Sequence, residues 1–244
     1  MKWRLIIDKK ANDAYTNMAI DEAILTSNYK PTLRLYQWNP PAISVGYFQS
    51  LKKEVDIEKC KNEEIDIVRR ITGGGAVFHD KELTYSFVCP EELVSHKIID
   101  SYEKICNTIV RALKKFGLDA KFIPINDIIV NSKKISGNAQ TRRDGIILQH
   151  GTILLDVDVD KMFSLLKVPD EKLKDKIIKN IKERVTSTKH QGINDVNELK
   201  RNIVNGFEEE FLIEFNEENL TDKELELAKK YEEKFKSDEW TFKR

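Results

Sequence analysis

Short strand-like runs follow one another through the first 155 residues, and turn signals separate most of them. The runs at 32–38 and 42–48 flank Asn39-Pro40-Pro41, and Asp144-Gly145 separates two further apolar runs. Proline, asparagine and Asp-Gly pairs are typical of turns and hairpins. Strands joined in this way pair antiparallel, whereas strict β-α alternation would favour a doubly wound parallel sheet. The sequence therefore predicts an α+β fold with a mixed, mostly antiparallel sheet.

Two helices are predicted within this strand-rich part. The segment 14–25 follows Asn12 and Asp13, and either side chain can cap a helix. The segment 98–117 places its apolar residues on one helical stripe and ends at Gly117, a residue type favoured just after a helix. These helices are expected to cover the sheet.

The chain from about Asp160 onward has helical patterns throughout. Thr221 and Glu224 have the spacing of a capping box ahead of the last of them. No internal repeat or low-complexity linker interrupts the sequence, so residues 1–244 are predicted to form a single domain. The predicted helices in this part are 159–167, 171–185, 195–211 and 223–235.

Bulk composition excludes several classes of protein. Lys+Arg and Asp+Glu are both 41, and a formal net charge of zero argues against a dedicated nucleic-acid binder. No stretch approaches the roughly 20 apolar residues of a membrane span. We therefore expect a cytoplasmic protein with neither a membrane nor a nucleic acid as its partner.

The three cysteines form no recognisable framework. Cys60, Cys89 and Cys106 are too few and too widely spaced for a disulfide-rich fold or a zinc site. Cys106 lies on the apolar stripe of a predicted helix and Cys89 at the end of a strand, so both are predicted to be structural. Cys60 lies in the charged stretch EKCKNEE and is predicted to be exposed.

The stretch RRITGGGAVFHD, Arg69 to Asp80, carries the strongest functional signal. Three adjacent glycines are costly in a regular element, and neither standard phosphate-binding motif fits them. A loop without side chains can still form a nest of backbone amides that binds an anion. Because neighbouring residues of a strand point to opposite faces, only one of Arg69 and Arg70 can face such a site.

This stretch resembles the signature of the lipoate–protein ligase family, which is related to biotin ligases. The resemblance continues through the lysine-containing segment NDIIVNSKKISGNAQ, the strand HGTILLDVD and the helix-rich end 166–185. It implies a catalytic domain that activates lipoate with ATP and transfers the acyl group to a lysine of a carrier domain. The carriers implied are the E2 subunit of 2-oxoacid dehydrogenases and the H protein of glycine cleavage.

The resemblance also implies roles for individual residues. The lipoate carboxylate must attack the α-phosphate of ATP, and two like charges about 4 Å apart repel by roughly 4 kcal/mol at an effective dielectric of 20. Lys134 is the residue expected to bridge the two anions, while Lys133 stays exposed, and Arg70 is expected to support the phosphate. The adenylate is expected to contact the backbone of Gly75, Ala76, Val77 and Phe78, and the remaining site candidates are Gly73, Gly74, His79, Asn126, Asp127 and His150.

Two assignments stay open at this point. ATP normally brings Mg²⁺, for which Asn126 and Asp127 offer oxygen atoms, although an Asn-Asp pair is equally typical of a turn. The acceptor lysine must lose a proton before it attacks, and Asp80, Asp127 and His79 are candidates to receive it. His79 fits a purely structural role equally well.

Other functions were weighed against the ligase. A sister group on the same scaffold transfers octanoyl groups through a cysteine thioester, which requires a thiol within 117–126 or after His150. All three cysteines precede those positions, so ATP-dependent ligation is predicted over ATP-independent transfer. The interleaved arginines and glycines of biotin ligases do not match, and a family member that only binds lipoate is the remaining alternative.

The family's full-length ligases carry an additional small C-terminal domain. The sequence to Arg244 leaves no room for it after the last predicted helix. The chain therefore resembles the catalytic subunit of two-component archaeal ligases, in which a separate small protein supplies that domain. Adenylation by this chain is accordingly expected to need an accessory subunit.

Overall fold

Two β-sheets organise the part of the chain that the computed structural model describes, which comprises residues 2–27, 30–167 and 173–244. The strands of the large sheet are β1 (Lys2–Ile7), β2 (Thr32–Tyr36), β6 (Glu82–Pro90), β7 (Ala120–Ile123), β8 (Asp127–Val130), β9 (Lys133–Arg143), β10 (Ile146–Leu154) and β11 (Glu214–Glu217). The strands of the small sheet are β3 (Ala42–Val45), β4 (Asp66–Arg69) and β5 (Val77–His79).

The pairing of the described strands is mixed and mostly antiparallel. The large sheet has the order β11-β1-β2-β6-β10-β9-β8-β7. β1 runs parallel to both β11 and β2, and the other five neighbouring pairs are antiparallel. In the small sheet, β3 pairs parallel with β4 and antiparallel with β5. The predicted α+β class is confirmed.

Helices cover both faces of the large sheet, and alternating strand residues show this. Leu5 and Phe87 belong to the core under one helix pair, whereas their neighbours Ile6 and Val88 pack on the opposite face. Such alternation is what strands buried on both faces require. The described helices are α1 (Ala14–Ser27), α2 (Leu51–Glu54), α3 (Ile57–Asn62), α4 (Ile98–Lys114), α5 (Val159–Leu165), α6 (Lys174–Arg184), α7 (Val196–Phe211), α8 (Asp222–Lys236) and α9 (Asp238–Thr241).

The helix pairs differ in what they bury. α4 and α7 pack together on the large core cluster, where Ile109 and Phe207 are fully buried. α1 and α8 pack together on the opposite face, and α1 buries Asp21 and Glu22 as well as its apolar residues. Asp13 caps α1 by accepting a hydrogen bond from the Thr16 amide at 2.8 Å, as one of the two predicted caps.

Local predictions were confirmed at several turns and caps. Asp144 and Gly145 both have positive φ values, 53° and 76°, in the tight turn between β9 and β10. Thr221 and Glu224 form the predicted capping box of α8. The predicted helix 171–185 is described from Lys174 onward, and residues 171 and 172 lie outside the described part, as do residues 168–170 of the segment 166–185.

The prediction for Cys60 was wrong. Its side chain is fully buried, in a cluster with Ile43, Leu51 and Leu165, although its sequence neighbours are charged. The reason is that Cys60 lies on the inward face of the short helix α3, whose lysines and glutamates point outward. α2, α3 and β11 were not predicted either. None of the described helices is both long and apolar enough to cross a membrane.

A buried ion pair joins β1 to the start of α8. Arg4 donates to both carboxylate oxygens of Glu224, at 2.7 and 2.5 Å, and both side chains are fully buried. Glu224 also accepts hydrogen bonds from the Thr221 amide at 2.8 Å and from the Ser27 hydroxyl at 2.9 Å. One carboxylate therefore fixes the positions of β1, α1 and α8 relative to one another.

Replacing Glu224 with Ala should destabilise the protein by about 3–5 kcal/mol, because it removes the carboxylate from a buried arginine. The matched control is Glu232→Ala on the same helix, which breaks a partly exposed pair with Lys236 at i,i+4 and should cost about 0.5 kcal/mol or less. Urea unfolding of both variants measures the difference. Equal losses in the two variants would contradict the structural role of Glu224.

Candidate active site

A cavity of about 500 Å³ lies between the two sheets. Its wall is formed by residues from the loop between β4 and β5, from β8–β10, and from α5 and α6. Nearly all residues that the sequence analysis selected line it: Arg70, Gly74, Gly75, Ala76, Val77, Phe78, His79, Asp80, Asn126, Asp127, Lys134 and His150. Gly73 belongs to the same loop but is not part of the cavity wall.

The loop Gly73–Gly75 has one position that requires glycine for its conformation. Gly74 has φ +93°, which L side chains rarely adopt. A Cβ added to Gly46, the residue that follows β3, would lie only 2.0 Å from the Gly74 carbonyl oxygen. The backbone of β3 therefore presses directly against the loop. A Cβ on Gly73 or Gly75 would meet nothing closer than 4.0 Å.

The two arginines ahead of the loop diverge, as strand alternation predicted. Arg69 turns away from the cavity and donates to the carbonyl oxygens of Gly46, Gln49 and Thr241 at 2.8 to 3.1 Å. Arg70 lines the cavity instead. Arg69 thus attaches the C-terminal residues to the β3 end, and Arg70 is the arginine of the site.

Arg70 uses all of its donors on uncharged protein oxygens. The guanidinium donates to the Thr72 hydroxyl at 3.3 Å, to the Ser44 carbonyl at 3.0 Å and hydroxyl at 2.7 Å, and to the carbonyls of Gly73 and Gly75 at 2.8 and 2.9 Å. Burial lowers its pKa to about 10. In the described part of the chain no carboxylate contacts it, so its charge favours an anion in the cavity.

This geometry refines the predicted role of Arg70. A guanidinium has five N–H groups, and the five contacts to Ser44, Thr72, Gly73 and Gly75 occupy them all. Arg70 therefore shapes the glycine loop directly. Direct donation by Arg70 to a phosphate stays a prediction and would require one of these bonds to open.

Lys134 lies across the cavity from this loop. Its ammonium group contacts Asp127 Oδ1 at 2.7 Å, and 42% of its side-chain surface is exposed to solvent. Lys133, on the other face of β9, is exposed to solvent. Lys134 therefore places a partly exposed cation, paired with one carboxylate, in the same cavity wall as the glycine loop, and Lys81 and Arg184 also belong to that wall.

The oxygens proposed for Mg²⁺ differ in their contacts. Asn126 donates from its side-chain nitrogen to the Asn138 carbonyl at 2.5 Å, and its backbone carbonyl accepts from the Asn138 backbone amide at 3.0 Å, so neither bond uses its side-chain oxygen. Asp127 uses one oxygen for Lys134. In the described ranges no three His, Cys, Asp or Glu side chains are grouped to hold a metal. A single carboxylate suits Mg²⁺ that is held mainly by phosphates and water.

Both histidines of the site are buried and fully hydrogen bonded. His79 contacts the Ser44 hydroxyl and Glu82, each at 2.6 Å, and stacks on the Trp38 ring with centroids 3.8 Å apart. His150 contacts the Thr72 hydroxyl at 2.8 Å. Burial lowers the pKa of His150, which keeps its ring neutral.

Several residues of this network were missed by the sequence analysis. Asp21, Ser44, Thr72 and Glu82 are buried polar residues that come from α1, β3, the glycine loop and β6. Asp21 and Ser44 each interrupt a mostly apolar run, whereas Thr72 and Glu82 lie beside glycine or charged residues and carry no such signal. That signal does not say which partner each of them meets.

Part of the cavity wall is apolar. It includes Met18, Trp38, Leu154, Met162 and Val185, from five separate parts of the chain. A pocket with apolar wall residues and a few convergent polar groups is the usual form of a small-molecule site.

None of the three cysteines lines this cavity. Burial raises the pKa of Cys60 to about 11 and that of Cys89 and Cys106 to about 12. Each therefore remains a protonated thiol at neutral pH, whereas the thiolate is the reactive form. All three have structural surroundings.

The fold and this arrangement can now be compared with known proteins. Residues 13–208 match the family described as "Lipoyl protein ligase A/B catalytic domain". The chain belongs to this family. The predicted resemblance to lipoate–protein ligases is thereby confirmed at the level of the family.

Similar sequences and similar structures within this family carry different activities in their names. The octanoyltransferase LipM of Clostridioides difficile (strain 630) is 40% identical over 275 residues, with 100% of this chain and 99% of that protein covered. LipM of Anoxybacillus flavithermus is 36% identical, covering 99% of this chain and 98% of that protein.

Solved structures with high similarity are ligases. The bi-partite lipoate protein ligase of Thermoplasma acidophilum superposes with a TM-score of 0.93 at 34% identity, covering 99% of this chain and 96% of that one. A lipoate-protein ligase A bound with ATP gives a TM-score of 0.86 at 32% identity, with 99% of both chains covered. The catalytic fold is therefore confirmed, and the family includes both ligases and transferases.

Gly46→Ala should distort the glycine loop, because its Cβ would lie 2.0 Å from the Gly74 carbonyl oxygen. We expect a loss of about 1–3 kcal/mol in the free energy of unfolding and large shifts of the Gly74 and Gly75 amide resonances. Gly73→Ala, whose Cβ would have room, is the control and should change both little. An undisturbed loop in Gly46→Ala would contradict the close approach of β3.

Proposed function

We propose that this family member is an ATP-dependent, AMP-forming lipoate–protein ligase. The observation that carries the proposal is the set of groups in the cavity wall. Lys134 and the glycine loop belong to it, as does the buried Arg70, which has no carboxylate partner in the described residues. None of the three cysteines is part of the wall. Such a site suits the meeting of two anions and does not suit a cysteine thioester.

In the first step, a carboxylate oxygen of lipoate attacks the α-phosphorus of ATP, and pyrophosphate leaves. Lys134 neutralises the repulsion between the two anions by releasing Asp127 and bonding to both. The backbone amides of Gly75 to Phe78 donate hydrogen bonds to the phosphate as negative charge builds on it. Preorganised donors of this kind are usually the largest single contribution to lowering the activation barrier. Asp127 would hold Mg²⁺ brought by the nucleotide, and the ion would supply further positive charge.

In the second step, the amine of a carrier lysine attacks the acyl carbon, and AMP leaves. The amine first gives up a proton, and three residues were predicted as candidates. His79 uses both ring nitrogens in hydrogen bonds. Asp127, which Lys134 releases in the first step, is reserved in this proposal for Mg²⁺. Asp80 lines the cavity and has no hydrogen bond or ion pair to another residue of the described part. We assign the proton to Asp80.

The acyl chain packs against apolar residues of the cavity wall such as Met18 and Trp38. The acceptor in this proposal is a lipoyl carrier domain of a 2-oxoacid dehydrogenase E2 subunit or the glycine cleavage H protein. A small accessory subunit is part of the proposal, supported by the similarity to a ligase described as bi-partite. The choice between lipoate and octanoate is not assigned.

A second candidate is octanoyl transfer without ATP. It is favoured by the 40% identity to an octanoyltransferase LipM over the full length of this chain. It would need a nucleophilic thiol at the cavity, and Cys60, Cys89 and Cys106 all lie outside its wall. The chemistry of the site therefore ranks this candidate second.

Incubation with an apo-carrier domain separates the two reactions. The ligase should add the mass of one lipoyl group only when ATP, Mg²⁺ and lipoate are present, and more strongly when a candidate small subunit is added. The transferase should instead add an octanoyl group from octanoyl-carrier protein in the absence of ATP. Intact mass spectrometry reads both outcomes, and acyl transfer without ATP would overturn the proposal.

Replacing each cysteine singly with alanine completes this experiment. Ligation should persist in Cys60→Ala, Cys89→Ala and Cys106→Ala, because none of the three contacts the cavity. Loss of acyl transfer in one stably folded variant, with a covalent acyl adduct on that thiol in the native protein, would establish the transferase.

Lys134→Ala should lower the rate of adenylate formation by about 10²–10³-fold, the usual effect of removing one charge-stabilising donor. Lys133→Ala is the matched control on the same strand and should retain the native rate, since its side chain points to solvent. Pyrophosphate exchange measures the step, and urea unfolding checks that both variants are folded. Native rates in Lys134→Ala would exclude it as the catalytic residue.

A further inference from the structure

Arg70 is the end of a chain of three hydrogen bonds that begins at Glu82. Glu82 Oε1 lies 2.6 Å from His79 Nδ1, and His79 Nε2 lies 2.6 Å from the Ser44 hydroxyl. Ser44 Oγ in turn accepts from an Arg70 terminal nitrogen at 2.7 Å. All four side chains are buried. We name Glu82, His79 and Ser44 the Glu82 chain.

A second chain, again made of a carboxylate, a histidine and a hydroxyl group, reaches Arg70 at its Nε atom. Asp21 Oδ2 lies 3.2 Å from His150 Nδ1, and His150 Nε2 lies 2.8 Å from the Thr72 hydroxyl. Thr72 Oγ1 accepts from Arg70 Nε at 3.3 Å. These side chains are buried as well. We name Asp21, His150 and Thr72 the Asp21 chain.

The direction of every hydrogen bond in the Glu82 chain follows from the contacts along it. A guanidinium only donates, a carboxylate only accepts, and a hydroxyl has one hydrogen to donate. Ser44 Oγ accepts from Arg70, and its one other contact in the described residues is His79 Nε2, so its hydrogen points to Nε2, which then carries no hydrogen. The hydrogen of His79 is then on Nδ1 and is donated to Glu82. The imidazole is neutral, in one defined tautomer.

The same reasoning applies to the Asp21 chain. Thr72 accepts from Arg70 and donates to His150 Nε2, so the hydrogen of His150 is on Nδ1 and faces Asp21. Asp21 is itself held by Arg34 and by the Tyr36 hydroxyl, each at 2.9 Å. Although burial alone would raise the pKa of Asp21, these contacts and His150 lower it, so the carboxylate stays charged.

We propose that Glu82 and Asp21 are positioning residues that act on Arg70 through neutral imidazoles. Each carboxylate sets the tautomer of one histidine, the histidine turns one hydroxyl into an acceptor, and the two hydroxyls hold the guanidinium. Its remaining donors then fix the carbonyls of Gly73 and Gly75. The shape of the glycine loop is thus set by two carboxylates that do not contact it.

The surroundings of Glu82 direct its carboxylate towards His79. Its Oε1 accepts from the Thr84 hydroxyl at 2.8 Å besides His79, whereas its Oε2 is buried without a partner in the described residues. Its interactions are therefore concentrated on one oxygen. The consequence for ATP rests on the proposed function, but the arrangement of protons does not.

Nitrogen NMR of the histidine rings tests the arrangement directly in the wild-type protein. We expect His79 and His150 both to be neutral at pH 7, with hydrogen on Nδ1 and none on Nε2. The opposite tautomer or a charged ring at either histidine would overturn the proposal, whatever the enzyme catalyses.

Two variants test whether Glu82 acts through Ser44. Ser44→Ala should leave His79 in its tautomer, because Glu82 still accepts from Nδ1, whereas Glu82→Ala should move the hydrogen towards Nε2. Each should raise the KM for ATP roughly tenfold or more, as expected when a hydrogen bond to a charged group is weakened. The fall in kcat should be smaller, since the reacting groups themselves are unchanged.

The double variant Ser44→Ala/Glu82→Ala should bind ATP as weakly as the worse single variant, because both changes break the same chain. Additive losses would mean that Glu82 acts by another route. Ser86→Ala is the control, since it removes a buried hydroxyl that has no partner in the described part of β6, and its KM should match the native value. If both histidines have the expected tautomer but the native protein neither binds nor uses ATP, the proposed function fails and the positioning inference stands.

Discussion

The buried guanidinium of Arg70 is the constraint on which the rest of the site depends. A cation without a carboxylate in contact is expensive to bury, and the protein meets this cost with five uncharged oxygens. Three of them are backbone carbonyls, two of which belong to the glycine loop. The same contacts that make the burial possible therefore give the loop its shape.

The fold explains how so many parts of the chain reach one arginine. The small sheet supplies Ser44 and His79 on adjacent strands, and the large sheet supplies Glu82 on β6 and His150 on β10. Because the cavity lies between the two sheets, Lys134 faces the loop from β9. The ion pair of Arg4 and Glu224 keeps α1, which carries Asp21, at a defined distance from β1.

The sequence predicted what depends on local pattern. Strand alternation, the turn at Asp144-Gly145 and the capping box at Thr221 all describe residues close in the chain, and all were confirmed. The divergence of Arg69 and Arg70 follows from the same alternation. Buried polar contacts were not predictable, because Glu82, Ser44 and Asp21 meet only after folding. The predicted exposure of Cys60 was wrong because its neighbours in the sequence are charged, whereas Cys60 itself occupies the inward face of α3.

Overall similarity and site chemistry give different rankings of the possible reactions, and the physical reason is instructive. Identities of 40% to a transferase and 34% to a ligase are averages over the whole chain. The reaction depends instead on a few groups, above all on whether a thiolate can form beside the acyl carbonyl. Burial keeps all three cysteines protonated at neutral pH. None of them lines the cavity. A scaffold that offers an ammonium group and backbone amides, but no thiol, stabilises phosphate chemistry better than thioester chemistry.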